Sequence, residues 1–275
     1  GFNTIDLYVP WNVIEPREGE FNFTQPNLSG FLALCKCLGI YVYLRPGPYI
    51  TNEMDGGGIP GWLVAHSTKQ SLALDGRPNL RTDDPDYLAY VRRYFSRLNN
   101  VIRPYLASQG GPIVLYAIEN EYNWFEIFSQ LDKFALYQGQ FERPLNTAGI
   151  TRRYLSALRD MVITDGIDVP ITSCPGDGKL SGLGGVADIV PMPNMYPGLG
   201  AGKPEKTVFS LLQKMHDPLL NHGIYVNFPS GTTETDRVPA NIKRMLMAGL
   251  DATFAFNVFG THQDGYRNGM ALNTD

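Results

Sequence analysis

The sequence is short of the residues that most nucleophilic and metal chemistry requires. Its four histidines, His66, His216, His222 and His262, are scattered, with no H-x-H or H-x-x-x-H spacing. That argues against a histidine zinc centre. No G-x-S-x-G occurs, so acyl transfer from a strained nucleophilic serine is not indicated. There are three cysteines. Cys35 and Cys37 lie two apart on a predicted helix and point in different directions, a spacing that suits neither a mutual disulfide nor a metal site. Buried free thiols are expected. Neither sign of charge dominates: 23 basic and 27 acidic residues are mixed along the chain, for a net charge of −4. Nothing in that pattern suggests a nucleic-acid face or a polybasic membrane surface. No run approaches the ~18 apolar residues that span a bilayer. No signal peptide opens the chain, which starts abruptly at Gly1. The sequons Asn22-Phe23-Thr24 and Asn27-Leu28-Ser29 permit secretion without arguing for it, so the compartment stays open, as does the oligomeric state.

What is present is an alternation of short apolar runs with amphipathic segments, the pattern of βα units around a parallel sheet. Strands are predicted at Asn3–Val9, Ile40–Arg45, Ile113–Ile118, Val169–Ser173, Ile189–Met192, Ile224–Val226 and Ala252–Val258. Helices are predicted at Pro26–Leu38, stopped by Gly39, at Asp84–Leu106 with Asp83 or Asp84 as cap and Pro85 in the first turn, at Thr151–Asp165 and at Val238–Ala248. Residues 46–82 read as one long loop rich in Gly and Pro. The 275 residues are close to the ~250 of a single (β/α)8 TIM barrel. Seven strands are one short of closure, so the first βα unit is expected upstream of Gly1, with residues 1–275 forming one incomplete barrel domain. A doubly wound open sheet is the alternative. Gly56, Gly58 and Gly61 fit its G-x-G-x-x-G fingerprint, but they lie well past the strand end, Pro60 interrupts them, and no helix is predicted to follow at once.

In such a barrel the working residues stand at the C-terminal strand ends. These ends are rich in carboxylates, amides and tyrosines: Tyr8, Trp11, Asn12 and Glu15 after the first strand, Arg45, Tyr49, Asn52 and Glu53 after the second, Glu119, Asn120 and Glu121 after the third. Asn194 and Tyr196 follow the fifth, Asn227 the sixth, and Asn257, His262 and Tyr266 the last. That composition suits glycoside hydrolysis, in which one carboxyl group protonates the leaving oxygen and a second attacks or activates water. Loop aromatics such as Trp11 and Trp62 either stack on a pyranose or pack in the core and rim. If the strand continues past Ile118, alternation sends Glu119 and Glu121 to one side and Asn120 to the other, and the segment reads equally as functional carboxyl groups at a strand end or as a polar strand terminus making ion pairs.

Several runs together resemble glycoside hydrolase family 35, the β-galactosidases. They are Tyr8-Val9-Pro10-Trp11-Asn12, Leu44-Arg45-Pro46-Gly47-Pro48-Tyr49-Ile50, Pro60-Gly61-Trp62-Leu63, Leu80-Arg81-Thr82-Asp83 and Glu119-Asn120-Glu121-Tyr122. The likeness is dense from Gly1 to about Trp124, loose to Leu220, and returns near Ile224–Gly231 and Gly260–Gly269. It implies a carbohydrate substrate with terminal β-linked galactose, with Glu121 as acid/base and Asn120 on the sugar 2-hydroxyl. It also implies Tyr8, Asn52, Glu53 and Tyr266 as substrate-binding positions, with Asn52 where the family usually has alanine. No metal or cofactor is implied, because two carboxyl groups suffice. β-sandwich domains are expected downstream.

The departure lies at the nucleophile. In the family a glutamate followed by phenylalanine ends the seventh barrel strand, and here Asn227-Phe228 takes that place. An amide cannot form the glycosyl ester of a retaining mechanism. The first account is an inactivated site, natural or engineered. The others are a takeover by Glu234 after a loop shift, or an alignment displaced by one residue. A pocket that keeps its sugar contacts without the chemistry would be a galactoside-binding pseudoenzyme. A barrel glycosidase for another β-linked sugar is the remaining alternative.

Overall fold

The computed structural model describes residues 3–50, 54–70, 80–122, 147–174, 186, 188–192, 225–229 and 252–256. The seven predicted strands all form: β1 Thr4–Tyr8, β2 Tyr41–Arg45, β3 Ile113–Ile118, β4 Ile171–Ser173, β5 Val190–Pro191, β6 Tyr225–Pro229 and β7 Ala252–Phe256. The helices are α1 Trp11–Ile14, α2 Leu28–Leu38, α3 Gly61–Gln70, α4 Pro85–Ile102 and α5 Thr147–Thr164. The helix predicted at Val238–Ala248 falls outside the described residues. Two compact units are present, one of Gly1–Glu119 with Gly149–Thr172 and one of Asn120–Ala148 with Ser173–Asp275.

In the first unit β2 is the best-buried strand. Val42, Tyr43 and Leu44 are fully enclosed, as expected of a continuous apolar run in a parallel sheet covered on both faces. It pairs parallel with β1, placing Tyr8 opposite Arg45, and parallel with β3, where the register shifts between Val42 and Tyr43. The Tyr43 hydroxyl shares a 2.7 Å hydrogen bond with Thr172 of β4. Helix α4 buries Tyr87, Val91, Tyr94, Phe95, Leu98 and Ile102 along one face, the helical spacing of a core-facing stripe. Its start is as foreseen: Asp84 accepts from the Asp86 and Tyr87 backbone N–H groups, satisfying two donors that a helix N-terminus leaves open. Asn99 on the same helix donates to Asp165 and accepts from the Tyr116 hydroxyl, both at 2.9 Å, tying α4 to β3 and to the end of α5. Gly39, at φ +66°, closes α2 in a left-handed position that suits glycine.

Three expectations change. The stretch predicted as loop contains a 3₁₀ turn, Asp55–Gly58, and then α3. Its Gly- and Pro-rich lead-in hid that helix, so a helix does follow the glycine motif. The glycines there serve local packing: a Cβ on Gly57 would collide with the Tyr49 ring, and one on Gly58 would lie 2.9 Å from the Ile50 side chain. Trp11 is core rather than rim. It is fully buried, stacks on Tyr94 at 4.8 Å between centroids, and donates its indole N–H to Glu15 at 2.7 Å. Cys37 is exposed, while Cys35 and Cys174 are buried. The two-residue spacing that separates the first pair turns Cys37 to the outer face of α2.

In the second unit the Met192 N–H, just past β5, donates to the Ser173 carbonyl at 2.7 Å. β6 and β7 pair parallel, with Asn227 opposite Phe254. Among the described residues no helix is long and apolar enough to cross a membrane.

Candidate active site

Parallel pairing brings the C-terminal ends of β1 and β2 to one sheet edge, and the turns beyond them are fastened there. The Tyr94 hydroxyl bonds the carbonyls of Val9 and Pro46 at 2.9 and 3.1 Å. Val9 N–H donates to the Arg45 carbonyl, and Glu119 N–H to that of Gly47, both at 3.0 Å. Gly47 has φ +98°, and a Cβ there would lie 2.8 Å from the Tyr49 nitrogen, so the turn requires glycine. Tyr8, half-buried, lies under the Arg45 guanidinium, whose carbon is 4.6 Å from the ring centroid. Arg45 in turn pairs with Asp6 at 3.2 Å, with side chains 3% and 14% exposed. The second carboxylate oxygen of Asp6 is buried without a hydrogen-bond partner among the described residues. Burial raises the Asp6 pKa, and the attraction of Arg45 offsets this only in part.

The exit of β3 decides between the two readings of Glu119-Asn120-Glu121. Glu119 is buried. Arg81 Nε donates to its Oε1 at 3.2 Å and Arg81 Nη2 to its Oε2 at 2.6 Å, and the Tyr154 hydroxyl adds a 2.7 Å bond to Oε1. The Tyr87 hydroxyl stands 3.3 Å behind that of Tyr154. Arg81 also lies over the Tyr49 ring at 3.6 Å. Burial by itself would lower the Arg81 pKa, but the charge and hydrogen bonds of Glu119 outweigh it and hold the guanidinium charged. The Tyr154 hydroxyl is pushed well above its ordinary pKa, first by burial and then by the Glu119 charge. Glu119 is therefore the ion-paired strand terminus. Strand alternation does not carry on to place Glu119 and Glu121 on one side, because β3 stops at Ile118 and Glu119 adopts φ +61°.

In the second unit Asn120 is buried, while Glu121 is half-buried and has φ +49°. The Glu121 N–H donates to the carbonyl of Cys174, which follows β4, at 2.6 Å. Asn227 is the central residue of β6 rather than a residue past its end, since the strand continues to Pro229. Asn52, Glu53, Glu234, Asn257, His262 and Tyr266 lie outside the described residues.

Sequence reasoning overlooked Asp6, Tyr154 and the pairing role of Arg81. An aspartate inside an apolar strand run is a usable signal, because strands disfavour it. Tyr154 gives none, since a tyrosine on a helix's apolar face usually reads as core. Among the described residues no group of three or more His, Cys, Asp or Glu side chains could hold a metal ion.

The family model for the glycosyl hydrolases family 35 matches residues 1–185. A β-galactosidase from Canis lupus familiaris is 31% identical over 99% of this chain and 37% of that protein. One from Homo sapiens is 30% identical over 95% of this chain and 35% of that protein. A β-galactosidase-1-like protein 3 from Rattus norvegicus is 40% identical over 46% of this chain. The chain thus spans little more than a third of the full-length β-galactosidases it matches. Among solved structures, a cold-adapted β-galactosidase from Rahnella sp. R3 superposes with a TM-score of 0.59 at 14% identity, covering 97% of this chain and 47% of that one. Endo-glycoceramidase II from Rhodococcus sp., a lactosyl-enzyme intermediate, superposes at 0.58 and 14% identity, covering 94% of this chain and 65% of that one. The fold class is the (β/α)8 barrel, and the chain belongs to family 35 of the glycosyl hydrolases.

Proposed function

We propose that this chain carries the galactoside site of a retaining β-galactosidase, with Glu121 as general acid/base and Asn227 at the nucleophile position. The observation that carries the reading is the commitment of Glu119. Arg81 and Tyr154 engage both its oxygens, so Glu121, half-buried beyond the strand end, is the member of the pair suited to give a proton to a leaving group. Asn120 and Tyr8, together with Asn52, Glu53 and Tyr266, are the proposed sugar contacts. Retention needs a second carboxyl roughly 5 to 5.5 Å from the first, and an amide at 227 cannot supply it. In this form the site binds terminal β-galactosides and cleaves them poorly, which also favours the second reading, a galactoside-binding pseudoenzyme.

Hydrolysis of an aryl β-galactoside by the chain and by Asn227→Glu tests the proposal. Turnover appearing in Asn227→Glu and vanishing again when Glu121→Gln is added supports both assignments. A folded Asn227→Glu protein without turnover, and without galactose binding by calorimetry, sinks them. Aryl glycosides differing only at C4 or C2 separate galactose from other β-linked sugars.

A further inference from the structure

A group of side chains in the first unit meets on the inner face of its sheet. The Tyr43 hydroxyl of β2 reaches Thr172 of β4 although β3 lies between the two strands. Side chains that layer the inside of a barrel from alternate strands make such contacts. Arg45 lies two residues beyond Tyr43 and so shares that face. In the register of β1 with β2, Asp6 stands opposite Tyr43 and Tyr8 opposite Arg45. The buried Arg45 guanidinium pairs with Asp6 at 3.2 Å and covers two rings. Its carbon is 4.6 Å from the centroid of Tyr8 and 5.6 Å from that of Tyr43. The backbone beside Tyr8 is fixed by other contacts. Val9 N–H donates to the Arg45 carbonyl, and the Val9 carbonyl accepts from the Tyr94 hydroxyl. What those contacts do not set is the pair of side-chain torsions that aim the Tyr8 hydroxyl. Tyr8 is the last residue of its strand, at the end of the sheet where a barrel does its chemistry.

We propose that Arg45 and Asp6 are positioning residues for Tyr8: the guanidinium, held by Asp6, lies across the Tyr8 ring and fixes where its hydroxyl meets the substrate. The functional meaning rests on the reading of Tyr8 as a sugar contact, while the geometry lies wholly within the first unit. A guanidinium suits the task because its planar face attracts the ring while its edge donates to a carboxylate. A lysine ammonium is a point charge on a flexible stem and does not combine the two. Without that cover the Tyr8 ring samples a second staggered rotamer, and its hydroxyl spends part of the time away from the sugar.

Two measurements on the chain test this. Three-bond N–Cγ and C′–Cγ couplings of Tyr8, its signals assigned by their loss in Tyr8→Phe, report the population of its first side-chain torsion. One rotamer is expected in the parent chain, and averaging between two in Arg45→Lys and in Asp6→Asn. The buried Tyr154 should keep a single rotamer in all three. Asp6→Asn preserves the shape of the carboxyl group, so it decides the matter if Arg45→Lys does not fold. Galactose binding by calorimetry then traces the effect to the hydroxyl. Tyr8→Phe should weaken binding about tenfold, as the loss of one hydrogen bond does. Arg45→Lys should weaken it about fivefold to tenfold in the parent, but less than about twofold in the Tyr8→Phe background, because the two changes act through one contact. A single Tyr8 rotamer in both variants overturns the proposal. So does an Arg45→Lys penalty of equal size in the two backgrounds, which is the mark of a purely structural role. Binding by Tyr8→Phe as tight as the parent's also overturns it, since no hydroxyl is then being positioned. Should the parent chain not bind galactose, the galactoside reading fails by itself, and the couplings still decide whether Arg45 and Asp6 hold Tyr8.

Discussion

Glu119, buried at the exit of β3, and Asp6, half-buried inside β1, are both acids facing a buried arginine, and they are finished differently. Glu119 has Arg81 on both oxygens and Tyr154 on one. Asp6 has Arg45 on one oxygen, and its other oxygen lacks a hydrogen-bond partner among the described residues. A carboxylate out of water is tolerated when its lone pairs are used and costly when they are not. The consequence shows at Asp6, where burial raises the pKa against the pull of Arg45. The satisfied acid stands where the chain leaves the first unit for Asn120 and Glu121. The unsatisfied one stands two residues before Tyr8. The first closes the exit of β3, and the second holds an arginine that lies over an aromatic ring.

The largest expected effect breaks the better-built pair. Arg81→Met leaves Glu119 buried without its counter-charge, and breaking such a pair costs about 3–5 kcal/mol. Urea unfolding at pH 7 measures it. A loss below about 1 kcal/mol would mean that Tyr154 and the surrounding dipoles satisfy Glu119 unaided, and the contrast with Asp6 would collapse.

Arg45→Met should cost less, about 1–3 kcal/mol at neutral pH, because Asp6 is already the less satisfied acid and can relieve itself by taking up a proton. The sign follows from the direction of its shift. A carboxyl group whose folded pKa is raised contributes stability below its unfolded pKa of about 3.9, and loses that contribution as pH rises through the folded value. Removing Arg45 raises the folded value further. The gap between Arg45→Met and the parent should therefore narrow as pH falls from 7 toward about 4. A gap that is constant across this range would show that Asp6 keeps its charge in the variant, and that Arg45 matters through Tyr8 and packing.

The fold was largely legible because its signals are local. Alternating apolar runs marked the seven strands, Asp84 and Pro85 announced α4, and Gly39 ended α2. What stayed hidden was of two kinds. Helix α3 follows a stretch of Gly and Pro whose composition matches that of a loop. The rest is pairing across the chain: nothing in a linear reading joins Arg81 to a glutamate 38 positions away or brings Tyr154 to the same oxygen. For that reason composition and strand alternation alone left Glu119 and Glu121 equivalent; the family resemblance singled out Glu121, and the geometry assigns Glu119 to the ion pair. Glu15 was misread for a similar reason. It stood at the rim in the linear reading, yet it is fully buried beneath Trp11 and Arg93.

The smallest effect comes from a second arginine pair on the same segment. Arg153 of α5 reaches Asp83, two residues beyond Arg81, with side chains 63% and 28% exposed. It joins the 80–83 segment to α5, as Arg81 joins it to β3, so connection alone does not distinguish the two. Solvent does. Water already stabilises both charges of the outer pair, salt screens them, and holding a long arginine side chain in one rotamer costs entropy, so such pairs are worth about 0–1 kcal/mol. Arg153→Ala should accordingly lower stability by less than about 1 kcal/mol, and the difference should shrink further when unfolding is repeated at about 1 M salt, where the screening length is near 3 Å. A loss approaching that of Arg81→Met would mean that the anchoring of the segment, and not the burial of the Glu119 charge, sets the cost of both substitutions.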